Sequence, residues 1–151
     1  MNDLQETDDP RSAAARLTAF GVQCASDGQE AEAMGAFQRA VAVEPNAADA
    51  WFCLGVAYCG QQRIVESITA HHRAALAASE NAFYWYALGT MYQTFQPRRW
   101  RPAALASFNN ALRYQQVYPE ARAALIAVRD ASGLRRVLKA VRRLRRVRGR
   151  G

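Results

Sequence analysis

The stretch Trp51-Phe52-Cys53-Leu54-Gly55-Val56-Ala57-Tyr58 returns, 34 residues later, as Trp85-Tyr86-Ala87-Leu88-Gly89-Thr90-Met91-Tyr92. Trp, Leu, Gly and Tyr keep their places at i, i+3, i+4 and i+7, the stripe that one face of a helix turns toward a core. Another 34 residues upstream, the same places hold Leu17, Phe20, Gly21 and Cys24. A second apolar stripe follows in every copy: Ala33, Phe37 and Ala40, then Ser67, His71 and Ala74, then Ala104, Phe108 and Ala111. The last set is displaced by three residues because Gln96 to Arg101 lengthen the turn before it. A fixed period carrying two helical stripes predicts an all-α chain of stacked hairpins.

The residue types agree with that prediction. Gly21, Gly55 and Gly89 remove a side chain where two helices must approach closely, which outweighs the ~1 kcal/mol that Gly costs inside a helix. Ala33, Ala40, Ala74, Ala104 and Ala111 supply the facing shallow surface, and the Trp, Leu, Tyr and Phe anchors fill the remaining space. Asp27-Gly28 and Gly60-Gln61 break the first two helix pairs, while Pro45-Asn46 and Ser79-Glu80-Asn81 separate one unit from the next.

This W-x2-L-G-x2-Y, A-x3-F, A and P arrangement resembles the tetratricopeptide repeat family over residues 14–118. The resemblance implies a right-handed superhelical stack of helix-turn-helix repeats at residues 14–47, 48–81 and 82–118, within a repeat domain covering 13–133. Departures from the pattern are Leu17 for Trp, Cys24 for Tyr, His71 for Phe and Ser79 for Pro, with Pro119 arriving late. Residues 119–131 read as a closing helix, with Pro in its first turn and Ser132-Gly133 at its end. Arg122 and Ile126 stand there where Trp and Gly would be, and the helix would cover the last apolar face of the stack.

In this family the first helices of successive repeats line a concave channel for an extended peptide or a partner helix. Projected onto the chain, the channel positions are Thr18 and Val22, then Asp49, Phe52, Val56 and Cys59, then Phe83, Tyr86, Thr90 and Gln93. Some members clamp a carboxylate terminus there with Lys and Asn, residues that this set lacks. Phe52, Phe83 and Tyr86 are instead expected to offer pockets for apolar side chains, with Thr90 and Gln93 bonding a peptide backbone. The same spacing also describes aromatics that pack on one another or under the tail.

Charge divides the chain. Residues 1–133 hold eleven arginines against thirteen acids, and residues 134–151 hold nine bases and no acid. Residues 1–12 read as an acidic flexible arm, with Asp3, Glu6, Asp8 and Asp9 preceding any base. The stretch LRRVLKAVRRLRRVR at 134–148 repeats Leu134, Val137, Leu138, Val141, Leu144 and Val147 at helical spacing. Its other face carries Arg135, Arg136, Lys139, Arg142, Arg143, Arg145 and Arg146, a basic amphipathic C-terminal helix with no acids to pair internally. It has three candidate counterparts: the body's own exposed end, an anionic membrane surface or acidic protein, and nucleic acid. Nucleic acid is disfavoured because no aromatic is interleaved with the arginines. Attraction between the acidic arm of one molecule and the basic arm of another would give a homo-oligomer.

The 151 residues, half of them hydrophobic, suit one domain and exclude a wholly disordered chain. The cysteines Cys24, Cys53 and Cys59 are odd in number and few, which argues for a reducing compartment. The acidic start does not read as a secretory signal, and no apolar run approaches the length of a membrane span. The expected location is cytoplasmic, or peripheral at the inner face of a membrane.

No catalytic or metal signature emerges, so neither a cofactor nor an enzymatic activity is expected. Cys53 and Cys59 do not share a helix face, His71 and His72 point in different directions, and no acid/base pair is singled out by spacing. Arg98, Arg99, Trp100 and Arg101, between Pro97 and Pro102, form a second candidate recognition patch; the alternative has Trp100 folded over its own helix pair. The expected function is a non-catalytic adaptor or chaperone holding an apolar peptide or helix of a partner protein, similar in size and repeat number to small three-repeat bacterial secretion chaperones. The alternative is a scaffold or assembly subunit tethered through the basic helix.

Overall fold

A computed structural model describes residues 9–130. They form seven helices and no strand: α1 (Pro10–Ser26), α2 (Glu30–Val43), α3 (Ala48–Gly60), α4 (Ile64–Ala77), α5 (Ala82–Phe95), α6 (Arg101–Tyr114) and α7, which runs from 119 to the last described residue, 130. The acidic arm up to Asp8 and the basic segment 134–151 lie outside the described residues. Helices pair as α1 with α2, α3 with α4 and α5 with α6, and each second helix also packs on the first helix of the next pair. The result is an all-α helical-repeat stack.

The three repeat glycines explain how each pair closes. A Cβ on Gly21 would lie 2.6 Å from Phe37 Cε1, and one on Gly89 2.6 Å from Phe108 Cε1. At Gly55 the ring is that of His71, whose Cε1 would be 2.7 Å from the added carbon. All three aromatic rings therefore rest directly on helix backbone. In the middle pair two polar bonds accompany the contact. Ser67 Oγ donates to the Gly55 carbonyl at 2.7 Å, and His71 Nδ1 donates to the Ser67 carbonyl at 2.8 Å, both buried. Burial holds the His71 pKa below its ordinary value, partly offset by the bond to Ser67.

The turns within the first two hairpins repeat atom for atom. Gln29 N–H donates to Cys24 O at 2.8 Å, and Arg63 N–H to Tyr58 O at 2.9 Å. Both turns pass through positive φ, at Gly28 (78°) and at Gln62 (61°), so only the second accepts the strain of a side chain there. Between pairs the tryptophans tie the loops down: Trp51 Nε1 donates to Pro45 O at 2.8 Å and Trp85 Nε1 to Ser79 O at 2.7 Å. Arg122 makes the corresponding bond in α7, its Nη2 donating to Gln116 O at 3.3 Å, again to the residue six places earlier. α7 thus keeps the register of a first helix even though Arg replaces Trp.

The repeat leucine position is covered wherever a helix pair precedes it. Leu54 and Leu88 are 3% and 1% exposed, whereas Phe20, at the same repeat position, is 57% exposed because no helix pair precedes it. At the other end α7 packs Ala121, Leu125 and Val128 against α5 and α6 through Ala82, Ala104, Phe108 and Ala111. Arg101 Nε donates to the Val128 carbonyl at 3.1 Å and fastens the start of α6 to α7. Arginines of the body also cover aromatic rings: Arg63 lies 4.4 Å over Tyr58 and Arg73 5.1 Å over Trp51.

Candidate functional site

The inward ends of α1 and α3, with the start of α2, enclose an open groove of about 500 Å³. Val22, Phe52 and Val56 form its walls, and Cys53, Ala57, Ala33 and Phe37 its floor. Ser26, Gly60, Gln61 and Glu30 stand at its mouth. The groove arises from the repeat itself. Val22 and Val56 occupy the same position 34 residues apart, each one residue past the glycine that lets its helix sit low on the next. Both valines are about half exposed, at 48% and 51%, and both line the same concavity.

The ten projected channel residues do not form one continuous row. Phe52 and Phe83 meet edge to face with ring centroids 5.0 Å apart, and Phe52 also reaches His71 at 5.4 Å. Phe83 stays 43% exposed beside Phe52 but does not line the groove. Tyr86 turns the other way, toward Phe108 at 6.0 Å and Tyr118 at 5.2 Å, and so belongs to the contact between α5, α6 and α7. Thr18 and Thr90 donate their hydroxyl protons to helix carbonyls, at Ala14 (2.7 Å) and Tyr86 (3.0 Å), leaving only acceptor capacity toward the channel. Gln93 and Cys59 are half-buried, and Cys59 does not line the groove.

Asp49 accepts a hydrogen bond from the buried hydroxyl of Tyr84, a contact bridging α3 and α5 that sequence spacing alone does not suggest. Burial, then the bond to Asp49, keeps the Tyr84 hydroxyl protonated far above the ordinary phenol range. Cys53, missed as a groove residue, has its thiol pKa raised by burial and then by the charge of Asp49, so it is a neutral thiol in the groove floor. In the second patch, Arg98 and Arg99 are exposed, while Trp100 packs edge-on against Tyr92 with centroids 5.8 Å apart. Arg101 is held by its bond to Val128. Among the described residues no group of three His, Cys, Asp or Glu side chains could hold a metal ion. No described helix is long and apolar enough to cross a membrane.

No family model and no curated protein sequence matches the chain. Solved structures do. The first tetratricopeptide repeat domain of Spaghetti (RPAP3), bound to the HSP90 peptide SRMEEVD, matches with a TM-score of 0.70 and 15% identity, over 82% of this chain and 95% of that one. The chain has the tetratricopeptide repeat fold. The tetratricopeptide repeat domain of Arabidopsis OM64 matches with a TM-score of 0.67 and 16% identity, over 81% of this chain and 98% of that one. MamA matches with a TM-score of 0.69 and 20% identity, over 84% of this chain and 72% of that one. In this tetratricopeptide repeat stack the aromatic position of the second repeat is filled by His71 and the tryptophan position of α7 by Arg122.

Proposed function

We propose that the chain is a non-catalytic protein-interaction adaptor that holds an apolar segment of a partner protein in the groove between α1 and α3. The observation that supports this best is the pair Val22 and Val56, half exposed on the walls of a concavity with an apolar floor. Concave, mostly apolar surfaces with few polar groups at the rim are where repeat proteins take extended or helical guests.

The similar structure bound to an HSP90 peptide supports a protein as the guest. The chemistry here differs from a site for an acidic peptide. Glu30 lines the groove and no base does, so a guest with a terminal carboxylate would meet repulsion rather than a charge-assisted bond. The guest is therefore an apolar or basic amphipathic segment. The experiment is affinity capture with the intact chain and with a Val56→Glu variant whose helicity and melting temperature match the wild type. The variant is expected to lose the captured protein; undiminished capture would refute the groove as the site.

A further inference from the structure

The channel and the C-terminal segment are opposite in charge. The bond from Arg122 to Gln116 shows that α7 continues the repeat register, shifted by the insertion before α6. Carrying the inward positions of α5 into α7 brings Glu120, Ala123, Ala127 and Asp130 to the channel, and all four are exposed. With Asp49 on α3 and Glu30 at the groove mouth, the charged residues at these inward and lining positions are all acids. The guest chemistry this selects is a helix with an apolar stripe and a basic back. The chain contains one: residues 134–148 combine Leu134, Val137, Leu138, Val141 and Leu144 with eight bases and no acid.

We propose that this segment of the chain itself occupies the groove between α1 and α3, as an intramolecular stand-in that a partner must displace. The inference rests on the reading of the groove as a binding site. Leu138, Val141 and Leu144 would lie against Val22, Phe52 and Val56, with bases on the flanks of the stripe nearest Glu30 and Asp130. The reach is sufficient. From α7 to α3 is two helix spacings, roughly 20 Å. Three extended residues after Asp130, followed by a helix as far as Leu144, span roughly 25 Å. The start is also well placed, because α1, α3 and α7 are first helices in one register and end on one rim, where the groove opens between Ser26 and Gly60. An occupant held by opposite charge weakens with salt, whereas apolar contact alone does not.

The test uses the full chain with Cys59→Ser, which leaves Cys53 as the groove thiol while Cys24 is buried. Leu144→Cys is added, and a short bismaleimide is applied at about 50 mM and about 500 mM salt, a range over which exposed charges become screened. The expected product is an intramolecular link between position 144 and Cys53, several-fold weaker at the higher salt. A link only between two chains, or, after Ile126→Cys, a link to position 126 in place of Cys53, would overturn the proposal. A second measurement separates this failure from failure of the groove itself. In the full chain carrying Cys59→Ser, Leu138→Asp and Val141→Asp, alkylation of Cys53 is expected to be several-fold faster than without the two aspartates. A synthetic peptide of residues 134–148 is expected to restore protection. Unchanged alkylation overturns self-occupancy; protection by the added peptide would then still support the groove as a site, and absence of protection would remove both.

Discussion

Gly89→Ala is predicted to destabilise the chain although alanine is the better helix former. In the middle of α5 the added methyl carbon would lie 2.6, 2.7 and 3.0 Å from Cε1, Cδ1 and Cζ of Phe108. Carbon atoms pack favourably at about 3.5–4.0 Å, so helix and ring must separate by about 1 Å. Phe108 is 0% exposed and is packed on its other sides by Ala104, Leu125 and Val128. Overpacking of this kind costs about 1–3 kcal/mol, against a gain of about 1 kcal/mol from helix propensity. The net loss is up to about 2 kcal/mol, or up to roughly 8 °C in melting temperature for a domain of this size. Gly35→Ala is the control. It lies within α2, and its added carbon would meet nothing within 4 Å. It should therefore gain about 1 kcal/mol and melt roughly 2–4 °C higher. Thermal unfolding followed by circular dichroism on the two variants reads the difference. Equal or higher stability for Gly89→Ala than for Gly35→Ala would refute the argument that glycine is there to admit the ring. Shrinking the ring as well, in Gly89→Ala/Phe108→Leu, should cost less than the two changes summed.

The remaining predictions concern polar groups within the stack. The folded-state pKa of His71 is lowered by burial, so the unfolded chain binds the proton more readily. The stability due to neutral His71 is therefore complete above about pH 6.5 and is lost as the pH falls below that value. Chemical denaturation between pH 7.5 and 5.5 should show this decline in the wild type and a smaller one in His71→Phe, which supplies the ring found at Phe37 and Phe108. Trp85→Phe removes the bond to Ser79 O and should cost about 1 kcal/mol, measured by urea denaturation; a neutral result would count against the loop tie. Tyr84→Phe removes the bond to Asp49 and should cost about 1–2 kcal/mol, with Asp49 returning to water.

The period was legible because a repeat fixes side-chain positions through covalent spacing alone. Gly21, Gly55 and Gly89 could be assigned to close helix contacts before any coordinates, and the rings of Phe37, His71 and Phe108 are found on them. What spacing could not reveal was partnership between side chains and carbonyls or across helices. The tie from Trp51 to Pro45 O is invisible to a hydrophobic pattern, and Arg122 reads as a departure from that pattern although it makes the same bond. Cys53 was not legible as groove lining because its exposure depends on how far α1 and α3 separate, which is set by packing beneath them. Phe83 and Tyr86, three residues apart, read as one row, yet Tyr86 packs on Tyr118 beside α7 while Phe83 packs on Phe52 of α3.

The groove is tested most directly by placing a photo-cross-linking amino acid at Val56 or at Val65, one replacement at a time, in the intact chain. Val56 lies on the groove wall and Val65 is 70% exposed on α4, outside it. Irradiation in the native cell extract should yield a discrete protein adduct from position 56 and none from position 65. Adducts from position 65 alone, with position 56 unreactive in a folded chain, would contradict the assignment of the inward face as the binding surface.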